Sequence, residues 1–359
     1  MLQTSRFTSP FPALLGRAPS VAALFLLVFF FPSQDVHAGD WPMFRGGPSL
    51  VGRAEGIRFP DRLELKWKFE TKRPVRSSPA IVQGRVYFGS NDKRVYCLDA
   101  ASGAPVWSAS TEGPVESSPL VLDGRVYVGS SDGFLYCLDA SAGSLLWKFE
   151  TEDRILCGPN WVSLPEGGRK GVLFGSYDGK LYCVDSQTGV KIWDYLTDNY
   201  VNGSPAVDGK VTVVGGCDAR VHIVSVTDGH KVGEVDAGAY IAASVALEGG
   251  RAYVGHYDNE VLCVDIPSAT VAWIYKDRNF PYFSSAALGP KQVLVGGRDR
   301  RLHCIDRNTG AAIWAFRAQG KVDSSPVIVG DKVLFGAEDG RLYLLRLADG
   351  AEVWSHEIG

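Results

Sequence analysis

The chain has 359 residues, a formal net charge of -3, 45% hydrophobic residues and 21% charged residues. That is an ordinary globular balance, and it excludes a strongly basic, phosphate-seeking protein, so no nucleic-acid partner is expected. With 41 glycines and only 2 methionines, the composition suits many short strands joined by glycine turns.

At the N-terminus, Arg6 and Arg17 precede the apolar run VAALFLLVFFF (21–31), followed by PSQDVHA ending at Ala38. A basic region, a short apolar stretch and a small-residue ending predict a secretory signal over 1–38, and hence a periplasmic or secreted protein. The apolar run is shorter than the ~20 residues needed to cross a bilayer, and no later segment is apolar enough, so no transmembrane span is expected. Residues 39–62 read as an N-terminal extension and 63–359 as a repeat domain.

The repeat is marked by tryptophans that follow glycine turns: Trp67, Trp107, Trp147, Trp193, Trp273, Trp314 and Trp354, spaced by 40, 40, 46, 80, 41 and 40 residues. The gap of 80 is two periods, with Gly233 in the missing tryptophan position. Each unit carries four strand signals, here lettered A to D. In VESSPLVLDGRVYVGSS (115–131), strand A meets an Asp-Gly turn and an alternating strand B. A second turn at 131–133 leads to FLYCLDA, strand C, and SAG then turns into SLLWKFE, strand D. A period of ~40–45 residues with four strands predicts an all-β propeller of four-stranded antiparallel blades.

Sets of A, B and C strands begin near Val75, Val115, Ile155, Val201, Ile241, Tyr282 and Val322, which gives seven full repeats. An additional D strand, LELKWKFE (63–70), precedes the first of them. Because a spare strand at a closed seam has no partner, the reading favours an eight-bladed pattern with an incomplete last blade.

The stretches LDASAGSLLW (138–147) and VDSQTGVKIW (184–193) resemble the tryptophan-docking motif of the pyrroloquinoline-quinone (PQQ) repeat superfamily. That family includes quinoprotein alcohol dehydrogenases and the propeller subunit of the outer-membrane barrel assembly machinery. The opening GDWPMFRGGPSLVG (39–52) is similar to the start of exported PQQ-like propellers, which typically continue through one more A-B-C set. The resemblance implies the fold and leaves activity open. The dehydrogenases of the family are longer. Many carry adjacent cysteines that close over the quinone, and a calcium site of Glu, Asn and Asp. This chain has no Cys-Cys pair and no C-x-x-C-H haem attachment. A non-catalytic exported scaffold without cofactor is therefore expected. The alternative is a PQQ-binding quinoprotein, either a dehydrogenase or a quinone sensor, with Phe283 and Arg298 lining a planar pocket.

Five of the seven cysteines share one strand C position: Cys97, Cys137, Cys183, Cys263 and Cys304. Ile223 and Leu344 replace them in the other units, so the position reads as a buried apolar slot. Without a C-x-x-C pair no metal is expected there. Cys157 and Cys217 fall outside the slot, with no role assigned beyond free thiols. Recurring aspartates in the B–C turns (Asp92, Asp132, Asp178, Asp218, Asp258, Asp299, Asp339) and before the C–D turns read as turn chemistry.

Function should sit where the repeats differ. The A–B and C–D turns are monotonous, whereas the D–A connections and B–C turns, which share the opposite face, vary. The candidate binding residues there are Asn199, Tyr200, Asn202, Tyr240, His256, Tyr257, Arg278, Phe280, Tyr282, Phe283, Arg298 and Arg300. Aromatics interleaved with arginines suit a protein or glycan of the cell envelope. A monomer is expected.

Overall fold

The computed structural model describes residues 23–24, 39–165 and 168–358. The predicted signal segment therefore lies almost wholly outside the described residues. Seven four-stranded antiparallel blades span residues 80–110, 120–150, 160–196, 206–236, 246–275, 287–317 and 327–357. In blade 1 the strands are Ala80–Val82, Arg85–Ser90, Arg94–Asp99 and Pro105–Ser110, in spatial order A-B-C-D. Strand B is almost wholly buried, whereas strand D alternates exposed and half-buried residues, so A lies innermost and D outermost.

The blades are joined by one repeated contact. The indole of each strand D tryptophan covers the C–D glycine of the next blade: Trp67 on Gly103, Trp107 on Gly143, Trp147 on Gly189, Trp193 on Gly229, Trp273 on Gly310 and Trp314 on Gly350. Each glycine has φ between +71° and +74°, a region side chains avoid, and a Cβ there would lie 2.5–2.8 Å from the ring. Five of these indoles also donate Nε1–H to a backbone carbonyl of the next blade, as in Trp67 to Ala100 at 3.0 Å and Trp193 to Val226 at 3.0 Å. Trp147 is the exception among the described residues. Tyr127 Oη, at 2.9 Å, takes the equivalent Ser186 carbonyl, and the Trp147 N–H has no partner.

Where blade 4 has Gly233 in place of tryptophan, blade 5 has Ala269 in place of the turn glycine, at φ +50°. A Cβ on Gly233 would lie 3.1 Å from the Ala269 Cβ. The two departures from the repeat face each other, so a ring at 233 and a methyl at 269 exclude one another.

The recurring cysteines are all free and fully buried, each directly across from its tryptophan in the C–D pairing (Cys97 with Trp107, Cys304 with Trp314). Burial pushes the thiols of Cys97, Cys137 and Cys263 up to about 11 and those of Cys183 and Cys304 up to about 12, so they stay protonated and act as apolar packing. Cys157 has a different role. In other blades a serine before strand A bridges both backbone groups of a strand B glycine, as Ser77 does with Gly89 at 2.8 and 3.0 Å. In blade 3 the Cys157 sulfur makes the same two contacts with Gly175, at 3.1 and 3.3 Å.

The segment before blade 1 does not confirm the expected incomplete eighth blade. Among the described residues there are seven complete blades, and the extra strand Phe69–Glu70 belongs to a separate two-stranded sheet with Ala23–Leu24. Trp67 and Phe69 nonetheless dock on blade 1 as strand D of a preceding blade would. Phe69 packs edge-on against Phe88 and Tyr96 at 6.1 and 5.5 Å, as Phe149 does against Phe174 and Tyr182 of blade 3. Trp354, at the other side of this seam, stacks on His356 at 5.5 Å and covers no glycine among the described residues.

Residues 41–54 form a strap across the inner strands. Trp41 pairs with Ile81, and carbonyls of Pro42, Pro48, Ser49, Val51 and Gly52 accept N–H bonds from Val121, Val207, Leu247, Leu288 and Ile328, in blades 2, 4, 5, 6 and 7. Arg53–Ala54 then runs parallel to Val327–Val329. Blade 3 is shaped for the strap: Asn160, fully buried, donates to the Pro48 and Pro205 carbonyls at 2.7 and 2.6 Å, and Gly158 leaves room for Phe44. Arg45, 3% exposed, donates to the carbonyls of Pro326 and Ala286 at 2.6 and 2.8 Å; burial pushes it down to about 9, so it is still a cation at neutral pH.

Three outcomes follow from these contacts. Gly233→Trp should destabilise the protein, and Ala269→Gly in the same chain should recover most of the loss. A double-mutant cycle by chemical denaturation should give a coupling of about 1 kcal/mol or more; additive effects would contradict the facing arrangement. Asn160→Ala, which removes the side-chain donor to the Pro205 carbonyl and leaves Pro48 with the Val207 N–H alone, should cost about 1–3 kcal/mol, read as a lower denaturation midpoint. Burial, the largest single influence, would raise the Asp218 and Asp299 carboxyls, but the hydrogen bonds and charge of His222 and His303 together with backbone N–H bonds outweigh it and hold both below the usual carboxylate range. With folded values depressed, their contribution is present above ~4 and is lost as pH falls through the folded values. Denaturation midpoints at pH 6 and pH 3 should show that loss, and His222→Phe should reduce it.

Candidate functional site

The face of interest is built by a second use of the repeated B–C aspartate. In blades 1, 2, 3 and 7 one carboxylate oxygen accepts both the hydroxyl of the strand C tyrosine and a backbone N–H of the D–A connection. Asp132, for example, takes Tyr136 Oη at 2.9 Å and the amides of Glu112 and Gly113 at 2.9 and 2.8 Å. The aspartates thus do more than shape turns. They tie each D–A connection to the B–C turn beside it, so that both present their side chains on one face. The strap, bonded next to the A–B turns, lies at the opposite end of the central channel.

On that face the variable positions form concentric rings. The ring nearest the axis is Arg76, Glu116, Leu156, Asn202, Ala242, Phe283 and Asp323. Its acids are already engaged: Glu116 lies 3.5 Å from Arg76 and 3.3 Å from Asn91, and Asp323 accepts Arg298 Nε and Nη2 at 3.2 and 2.9 Å. The next ring consists of the residues just before the B–C aspartates, among them Tyr177, Cys217, Tyr257 and Arg298. The outer ring is the D–A connections.

Two clusters cross these rings. In the first, Tyr177 and Tyr200 stack with centroids 4.8 Å apart and Arg154 lies 4.3 Å above Tyr177. In the second, Tyr257 meets Phe283 at 4.4 Å and Tyr240 at 6.5 Å, and Arg298 lies 4.1 Å over the Phe283 ring while paired with Asp323. Between blades 4 and 5 an open depression of about 470 Å³ is walled by Tyr240, Tyr257 and Asp258 and floored by Ala219, Gly238 and Ala239. Tyr200, Tyr240, Tyr257 and Phe280 are 42%, 54%, 47% and 47% exposed, large apolar surface for one face of a globular protein.

The structure places the sequence-predicted residues unevenly. Tyr200, Tyr240, Tyr257, Phe283 and Arg298 are brought into the belt that these two clusters make up. Asn202 is half-buried beside it, bonded to the Cys217 sulfur at 3.4 Å. Asn199 is used within its own loop, where its side chain accepts the Tyr200 amide. Arg278 and Phe280 stand on the longer loop before blade 6, and Arg300 is exposed at the tip of the next turn. Two residues are not available on the surface. His256 is 1% exposed, with Nδ1 accepting the Asp258 amide at 3.1 Å and burial holding its pKa below the usual imidazole value. Tyr282 is 2% exposed, edge-on to His303 at 5.3 Å. Both are core residues of their blades. Arg154, Tyr177 and Cys217 were missed, although aligning the residue before each B–C aspartate around the ring would have found the latter two.

No curated protein matches the sequence. Among solved structures, BamB from Moraxella catarrhalis is similar at 19% identity over 78% of this chain and 85% of that chain, with a TM-score of 0.65. A europium-containing methanol dehydrogenase is similar at 14% identity over 90% and 86%, with a TM-score of 0.75. The quinohemoprotein alcohol dehydrogenase ADHIIG from Pseudomonas putida HK5 is similar at 15% identity over 89% and 72%, with a TM-score of 0.72. These likenesses concern the fold and do not separate enzyme from scaffold. No helix among the described residues is long and apolar enough to cross a membrane. The family model described as outer membrane protein assembly factor BamB matches residues 64–216, 178–287 and 282–359, which together cover the whole propeller, and the chain belongs to that family of PQQ-like repeat propellers.

Proposed function

We propose that the protein is an exported, non-catalytic propeller that binds an envelope protein through the belt running from Arg154 and Tyr177 to Arg298. The observation that carries the reading is the second cluster. Tyr240, Tyr257, Phe283 and Arg298 form a contiguous, partly exposed aromatic surface with its arginine already oriented by Asp323. Rigid aromatics with a pre-positioned arginine lose little freedom on binding, and such residues dominate the energetics of protein interfaces. The membrane-assembly description of the family supports an envelope partner, and the signal read over 1–38 supports export.

A bound quinone is the other reading the fold family raises. PQQ is a planar polyanion and needs a flat slot with free cations and acceptors. At the channel mouth Arg76 and Arg298 are paired with Glu116 and Asp323, and the Phe283 ring is already packed against Arg298 and Tyr257. The channel end below is crossed by the strap, with Phe44 beside Gly158. These residues do not fit the cofactor, and no redox step is derived from them.

Calorimetric titration of the mature protein with PQQ, with and without calcium, should give no saturable heat; calcium-dependent saturation would favour the quinoprotein reading instead. Tyr240→Ala and Arg298→Ala should change stability by about 1 kcal/mol or less, as expected for exposed groups and a partly exposed ion pair. Each should weaken retention of envelope proteins that the unaltered chain captures at defined stoichiometry. Large losses of stability, or unchanged retention, would count against the belt as the binding surface.

A further inference from the structure

Two blade junctions share a buried tyrosine–histidine–aspartate array, and they differ in one respect. Between blades 3 and 4, Tyr195 Oη lies 3.1 Å from His222 Nδ1, and His222 Nε2 lies 2.7 Å from Asp218. Between blades 5 and 6, Tyr275 Oη lies 3.0 Å from His303 Nδ1, and His303 Nε2 lies 3.1 Å from Asp299 Oδ1. The backbone N–H of Asp198, in the connection entering its blade, also helps to lower the Asp218 carboxyl. Among the causes that lower Asp299 there is no amide of its own connection. Counted from the strand D tryptophan, the connection entering blade 6 is one residue longer than the others: Tyr282 follows Trp273 by 9 residues, whereas Val201 follows Trp193 and Val322 follows Trp314 by 8. The extra residue carries the backbone amides away from Asp299. Its Oδ2 is buried, on a side chain 3% exposed, and accepts no hydrogen bond among the described residues.

The same insertion delivers a replacement group. Asp277 Oδ2 comes to 3.9 Å from His303 Nδ1, and one donor atom from each of Asp277, Asp299 and His303 lies within 4.8 Å of the others. A buried carboxylate oxygen without a partner is costly, and a cation shared with the neighbouring donors is one way to satisfy it. Two carboxylates and one imidazole suit a divalent transition metal such as Zn²⁺, with water completing the shell. On metal binding the imidazole would exchange tautomer: Nδ1–H donates to Tyr275 Oη, which orients the ring, and Nε2, the donor to Asp299 Oδ1 in the metal-free chain, gives up its proton and becomes the ligand.

From this geometry we infer that Asp277, Asp299 and His303 form a divalent-metal site that ties the 276–281 loop to blade 6. The local charges set its strength. Arg278 Nε lies 3.5 Å from Asp277 and 3.8 Å from Asp299, and Arg301 Nε lies 3.8 Å from Asp299, all beyond hydrogen-bond reach. Arg278 is half-exposed and competes with the metal for both carboxylates; it swings outward on binding. The site is independent of the belt's partner, although it orders the loop that carries Phe280 next to it.

Titration of the full chain with ZnCl₂ by calorimetry tests the site. One Zn²⁺ per chain is expected, with a rise in melting temperature. Asp277→Asn, at a partly exposed loop position, should weaken binding by about tenfold or more and leave the metal-free melting temperature unchanged. Arg278→Ala should tighten binding severalfold, whereas Cys217→Ser, altering a half-buried thiol of blade 4 outside the site, should leave it as it is. Absence of saturable uptake below about 1 mM, or uptake that Asp277→Asn does not weaken, would overturn the site. Asp299→Asn can misfold, so the two loop variants are the decisive ones.

Discussion

Everything in this molecule hangs on a flat indole pressed against a glycine that no other residue can replace without strain. A blade has two open faces and cannot bury them alone. The tryptophan of one strand D covers the bare backbone of the next turn, fixes the distance between neighbours and buries the free thiol behind it. Because the contact is made between successive blades only, each unit needs its neighbours and tolerates changes that its neighbours match. The Gly233 and Ala269 pair illustrates this. One blade lost its ring, the next lost its glycine, and the stacking of blades 4 and 5 continues.

From that regular frame, function is confined to what the frame does not use. The serines before strand A are spent on an interblade chain: Ser204, Ser244, Ser285 and Ser325 each accept the amide of the preceding blade's equivalent residue at 2.9–3.0 Å. The B–C aspartates are spent on the loops. What is left on the upper face is a set of positions whose side chains are free to vary, and in blades 3 to 6 many of them are aromatic or basic.

The sequence made most of the frame legible because the period repeats the same physics. Trp107, Gly143 and Cys137 are each seen several times over, so their roles could be inferred by comparison within the chain. Residues 39–52 could not be read this way. Their contacts are backbone bonds to strands up to hundreds of residues away, and nothing in a single unrepeated segment announces them. His256 and Tyr282 flank variable turns and so read as surface residues in the sequence, but both are buried in the blade, and periodicity does not give direction at a turn. Cys157 needed the serine beside it in other repeats to be recognised as a substitute. The longer loop at 276–281 was visible as an aromatic and basic stretch, while its effect on Asp299 depends on where its amides fall, which only the folded chain shows.

The strap has a consequence for how the protein comes to be folded. Residues 41–54 leave the ribosome before any blade, yet their last partners, Pro326, Ile328 and Val329, lie in the final one. Loop closure over so long a separation is entropically unfavourable until the intervening units have stacked. Neighbouring blades can therefore form in succession, but the strap cannot settle until the seventh is in place. It acts as a late checkpoint, and a chain that stalls midway keeps an N-terminal arm with unpaired carbonyls and an unburied Arg45, open to proteases until the ring is whole.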